Sequence, residues 1–202
     1  MPLTLWLSMS LVCIFGAMSP GPSLAVVVQN TLTGGRMQGV ITGIAHGLGI
    51  VIWAGLTAAG IGLVITQHPA LFDAIRYGGA VLLLYLGIKS FTNRSAASEA
   101  LSRNTSALHQ SAARTGFLIA ISNPKIALFF LALFSQFVRP EAGITEKIIM
   151  ALTAGVIDAI WYIVVALVLS QSRLLTWLRS RALVLDRVFG VILVALAIRV
   201  AI

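Results

Sequence analysis

Residues 11–30 read LVCIFGAMSPGPSLAVVVQN, an apolar run broken in its middle by Ser19-Pro20-Gly21-Pro22. Half a chain later, residues 116–134 read GFLIAISNPKIALFFLALF, broken by Ser122-Asn123-Pro124-Lys125. The two approaches correspond: Ala17-Met18-Ser19-Pro20 aligns with Ala120-Ile121-Ser122-Asn123, small and apolar up to a serine, then a break. Proline removes a backbone donor and clashes with the carbonyl four residues back. In hydrocarbon no water repairs that loss, so a broken helix has to face protein or a wet cavity. Matched breaks in two halves of one chain are the strongest sequence pointer to a binding site at the membrane centre.

The surrounding composition makes the membrane reading firm. The chain has 202 residues, of which 58% are hydrophobic and 10% charged, with a mean hydropathy of +0.98. A water-soluble domain of this size needs far more polar surface. Six apolar runs, at about 4–33, 38–66, 70–91, 115–138, 146–170 and 183–201, each approach the roughly 20 residues needed to span a bilayer. The expected fold is an all-α polytopic membrane protein with six transmembrane helices, the first and fourth broken. It forms a single transporter domain: repeat one over about 1–92, a polar Ser/Ala-rich inner loop over 93–113, and repeat two over about 114–202. His109 in the loop reads as a solvated residue. Each half has three spans, an odd number, so the second half enters from the opposite side and the halves form a 3+3 inverted repeat. Trp53 echoes Trp161, and Gly87-Ile88-Lys89 echoes Ala197-Ile198-Arg199.

The first run does not read as a signal peptide, because residues 1–7 (MPLTLWL) lack a basic region and the run is too long. The net charge of +8 is a matter of topology and does not indicate nucleic acid. With the N-terminus outside, the inner segments hold nine basic residues (Arg36, Lys89, Arg94, Arg103, Arg114, Arg173, Arg179, Arg181, Arg187) against four outside (Arg76, Arg139, Lys147, Arg199). The positive-inside rule then puts both termini on the outer side. The stretch 171–187, arginines mixed with leucines and Trp177, is expected to lie along the inner interface. A single cysteine, Cys13, excludes an internal disulfide and dithiol redox chemistry.

Several polar residues stand at improbable depth. Gly21 lies about 22 Å from the inner interface when counted back from Arg36 at 1.5 Å per residue. Gln29 and Asn30 follow two turns later in apolar company. Gly39, Gly43 and Gly47, four residues apart on the second span, suit close helix packing, and His46 sits beside that face. Lys125 and Asp158 fall near the midplane from opposite ends of their spans, with Trp161 and Tyr162 on the next turn after Asp158. Intramembrane ionisable groups are functional candidates by default. Lys125 and Asp158 are expected either as a structural ion pair or as a proton-binding couple. In an inverted arrangement the half-helices after Pro22 and Pro124 aim their N-terminal N–H groups and positive dipole ends at one central region, which suits a carboxylate. The carbonyls of Gly16, Met18 and Ala120, freed by the prolines, suit an ammonium. Together they suit a zwitterion.

With these features in place, the chain resembles the LysE/RhtB family of amino-acid exporters over essentially its whole length. The resemblance rests on the Ser-Pro-Gly-Pro-Ser break, the glycine-rich second span, the Ser-Asn-Pro-Lys break and Asp158-x-x-Trp161-Tyr162. It implies efflux of amino acids or close derivatives from the bacterial cytoplasm across the inner membrane in exchange for protons, by a possible homodimer, with no cofactor and no metal. Carried over by position, its motif residues are Pro20, Gly21, Pro22, Asn123, Pro124, Lys125 and Asp158; Asp158 with Lys125 would couple the proton. Gln29, Asn30, His46 and Trp161 join the candidate substrate and gating residues on their depth and polarity alone. The alternative is a passive channel or facilitator for a small polar solute, which would not need Asp158. An enzyme is not expected: the three histidines are dispersed and no serine has an evident base.

Overall fold

Proline decides where the first helix stops. In the computed structural model, which describes residues 1–92, 111–168 and 172–201, α1 (Leu3–Met18) ends at Ser19, whose backbone is extended (ψ 121°) as a residue before proline must be. Gly21 is extended too, and Pro22 then opens α2 (Pro22–Gly34) at the position where a missing N–H costs nothing. The second break repeats this: α5 (Ala112–Ser122) stops at the extended Asn123, and Pro124 opens α6 (Pro124–Phe137). The two pairs bend by 58° and 56°. Between and after them lie α3 (Arg36–Gln67), α4 (Pro69–Thr92), α7 (Ile144–Val168) and α8 (Ser172–Ala201). Gly35 (φ 82°) makes the sharp turn from α2 into α3, a left-handed conformation that glycine adopts without steric cost.

The fold is that of an all-α polytopic membrane protein. Among the described residues three helices, α3, α4 and α7, are long and apolar enough to cross a membrane, and each bent pair read as one span raises this to five. The sixth expected span, 183–201, lies on α8, where Asp186, Arg187 and Arg199 interrupt the apolar sequence. From Ser172 the chain is one helix through Ala201, so the stretch expected along the inner interface runs directly into the sixth span, and Asp186 is buried. The expected loop over 93–113 lies outside the described residues up to 110. Its last residues already belong to α5, whose first turn is capped by the Ser111 hydroxyl accepting from the Arg114 N–H at 3.3 Å.

Polarity is distributed inside out. Leu48, Leu56, Leu63, Val156 and Ile160 face outward, as lipid contact allows. His46, Thr42, Asn123 and Asp158 point inward. Helices pack in lipid through small residues, and the glycines of α3 do this against α7. A Cβ placed on Gly47 would lie 2.8 Å from the Gly155 carbonyl oxygen, and one on Gly155 would lie 2.8 Å from that of Gly47. Gly43 meets Tyr162 and Gly39 meets Ala166 on the same face. A second reciprocal crossing joins α4 to α8, with Gly87 and Gly190 each within 2.9 Å of the other's carbonyl oxygen by the same measure. Packing is thus the role of the α3 glycines. The second crossing sets Gly87 against Gly190, seven residues before the Ala197 that the sequence echo paired with it.

Candidate functional site

Between the two breaks lies a cavity of ≈ 70 Å³. Gly21, Pro22, Ser19 and Ser23 enter it from the first break, Asn123 and Lys125 from the second. His46 of α3 and Asp158 of α7 close one side, and Phe129, Phe130 and Phe189 supply an apolar wall. The expected convergence of the broken helices at one central region is therefore present, and so is the gathering of Gly21, Pro22, His46, Asn123, Lys125 and Asp158. Pro20 and Pro124 shape the breaks without lining the cavity. Gln29, Asn30 and Trp161 stand outside it. Asn30 donates through Nδ2 to Thr42 Oγ1 at 2.8 Å and so ties α2 to α3. Trp161 packs against the small apolar cluster of Leu24, Val27, Val28, Tyr162 and Val165.

The charges pair differently from the expectation. Asp158 does not pair with Lys125. Its Oδ2 lies 2.6 Å from Nδ1 of His46, and both residues are buried, at 7% and 1% exposure. Such a short contact is a hydrogen bond between the imidazole and the carboxyl group, across 112 residues of sequence. Among the described residues Nε2 of the same imidazole has no hydrogen-bond partner, although His46 lines the cavity. Tyr162, one helical turn from Asp158, sets its ring edge-on to His46 at 4.9 Å. The Lys125 ammonium instead donates to Ser19 Oγ at 2.9 Å, and Ser19 Oγ donates to Asp186 Oδ1 at 3.0 Å. Lys125 and Asp158 line the same cavity, but each meets another neighbour.

Backbone groups at the breaks are also partly claimed. Gly16 does not offer a free carbonyl: it accepts from the Ser19 N–H at 3.3 Å. At the second break the Asn123 side chain accepts from the Lys125 N–H at 3.0 Å, capping α6 with its own residue. The Ile121 carbonyl is taken by the Trp53 indole N–H at 3.1 Å. The first turn of α2, by contrast, has no side-chain cap. Of the two half-helix N-termini, the one after Pro22 is thus the one without a side-chain cap. Asn123 reaches across to Ser23 Oγ at 3.3 Å, a direct tie between the breaks.

The sequence reading quoted Ser19, Ser23 and Tyr162 within its motifs without assigning them to the site, and it overlooked Asp186. The serines flank the quoted prolines and were legible as part of the motif. Tyr162 stands four residues after Asp158 and so shares its helix face. Asp186, embedded among arginines, carried no signal. Among the described residues no group of three or more His, Cys, Asp or Glu side chains is placed to hold a metal ion.

A polytopic bundle with two broken helices meeting at a charged cavity defines a membrane translocator. Residues 14–202 match the model of the LysE type translocator family, and the chain belongs to that family. It is similar to an uncharacterized membrane protein of Escherichia coli (31% identical over 184 residues, covering 90% of this chain and 82% of the relative). It is also similar to the threonine efflux protein of Escherichia coli (27% over 202 residues, 95% and 98%). The leucine efflux protein of Klebsiella pneumoniae is 28% identical over 197 residues, 93% of this chain and 90% of that protein. No solved structure matches the chain significantly.

Proposed function

We propose that this protein exports amino acids or close derivatives from the bacterial cytoplasm by proton antiport, in the inner membrane with both termini on the outer side. The observation that carries the proposal is the buried Asp158–His46 couple in the cavity where the two breaks converge. An α-ammonium and a proton compete for the same carboxylate, and that competition is the chemical requirement of antiport. Lys125 beside the uncapped N-terminus of α2 supplies the complementary charge for an α-carboxylate. The named threonine and leucine efflux relatives support the substrate class. The reciprocal glycine crossings support two halves related by a pseudo-two-fold axis in the membrane plane, the layout in which alternating access is a rocking of one half on the other.

The test is transport in proteoliposomes, with purified protein given single amino acids and a pH gradient, wild type beside Asp158→Asn. Gradient-driven movement of one amino-acid class, lost in the variant, is the expected result. Gradient-independent flux that survives unchanged in Asp158→Asn makes the protein a facilitator. Absence of flux for every amino acid overturns the substrate class.

A further inference from the structure

Lys125 occupies an electrostatically odd position. It is the second residue of α6, so its charge sits at the positive end of its own helix. Its ammonium also lies beside the start of α2, since a Cβ built on Gly21 would be 3.8 Å from Nζ. A cation at two converging helix N-termini calls for an anion. Among the described residues no carboxylate forms a direct ion pair with it. Its negative partner stands one hydroxyl away: Nζ donates to Ser19 Oγ, which donates to Asp186 Oδ1, at 2.9 and 3.0 Å. Ser19 and Asp186 are both buried. Phe189, one turn further along α8, turns its ring toward the same ammonium, 5.8 Å from Nζ to the ring centroid. An ammonium has three donors, and Ser19 takes one of them.

We propose that Asp186, acting through Ser19, is the resident counterion of the carboxylate subsite. It neutralises Lys125 while the site is empty, and the ammonium turns from Ser19 to the α-carboxylate when an amino acid binds. The inference rests on the amino-acid reading of the cavity given above. Asp186 is a positioning residue: it competes with the substrate for Lys125 without touching it. Competition of this kind weakens binding and speeds release, which a transporter that must discharge its cargo requires. A structural tie anchoring α8 to the first break would use the same hydrogen bond but would not depend on the charge.

The charge is separated from the hydrogen bond by Asp186→Asn, which keeps a carbonyl oxygen for the Ser19 hydroxyl. Exchange kinetics are measured in proteoliposomes with leucine and with threonine as probes. With the competitor neutralised, KM falls about tenfold and the maximal rate falls with it, as expected for loss of one charge-assisted contact. Asp186→Glu restores the wild-type balance, and Ser19→Ala, which cuts the link while leaving Asp186 in place, lowers KM in the same direction. An unchanged or raised KM in Asp186→Asn overturns the proposal. If that variant fails to insert, an unchanged or raised KM in Ser19→Ala does so. Wild type that moves neither probe nor any other amino acid overturns the amino-acid reading and this inference with it, whereas wild-type flux with indifferent variants overturns this inference alone.

Discussion

Removing the His46 imidazole isolates a buried carboxylate, and the consequence can be worked from the geometry. Asp158 has 7% exposure and one short contact, 2.6 Å to His46 Nδ1. Breaking one partner out of a buried pair costs about 3–5 kcal/mol, because the remaining group is left buried without its partner. His46→Ala should therefore lower the unfolding midpoint by about 10 °C, at roughly 2–4 °C per kcal/mol for a chain of this length. Asp158→Asn keeps a hydrogen-bonding group opposite His46 and removes the charge, so it should cost only about 1 kcal/mol. The double variant His46→Ala/Asp158→Asn should melt above His46→Ala alone, since an unpaired amide is cheaper than an unpaired carboxylate. Cys13, the single cysteine and 5% exposed, provides the assay: a fluorogenic maleimide reacts with it as the protein unfolds in detergent. Cys13 lines the same cavity, so reaction at low temperature is scored separately as local opening. A His46→Ala midpoint within about 2 °C of wild type would refute the reasoning, as would an Asp158→Asn variant equally destabilised.

Four further outcomes are expected. Trp53→Phe should cost about 1–3 kcal/mol by orphaning the Ile121 carbonyl, whereas Trp161→Phe should cost less, because the buried Trp161 indole N–H has no partner among the described residues; the same thiol melt ranks them. Gly47→Leu should destabilise by more than the 1–3 kcal/mol typical of overpacking, since even a Cβ there would stand 2.7 Å from that of Ala159; a wild-type midpoint would deny the close crossing. Pro22→Ala/Pro124→Ala should straighten the breaks and abolish export while membrane insertion persists, and normal transport by the double variant would remove the broken helices from the mechanism. In a Cys13→Ala background, an impermeant maleimide added outside should label Glu141→Cys but not Arg36→Cys; the reverse pattern would invert the topology.

Much of the site was readable because the chemistry of the breaks is local. Pro20, Pro22 and Pro124 cannot continue a helix wherever they stand, so α1 and α5 had to end before them. The glycine spacing of Gly39, Gly43 and Gly47 likewise announced a close-packed face before any partner was visible. The pairing of charges was a different matter. Depth along a span can be counted at 1.5 Å per residue, and it put Lys125 and Asp158 at one level. Which way each side chain faces around its helix axis is set by neighbours, and a rotation of one residue, 100° for 3.6 residues per turn, is enough to exchange partners.

By itself, then, the sequence determined what each segment can be: apolar helices sized for a bilayer, two of them broken at matched places, with polar groups deep enough to need partners. These properties follow from backbone donors, chain geometry and transfer energies, all of which act within a few residues. Only the tertiary structure decided that Asp158 meets His46, 112 residues away, that Lys125 answers through Ser19 to Asp186, and that Trp53 satisfies the carbonyl of Ile121. Those contacts depend on the rotation and crossing of packed helices, fixed where Gly47 meets Gly155 and Gly87 meets Gly190. No window of sequence contains both members of such a pair.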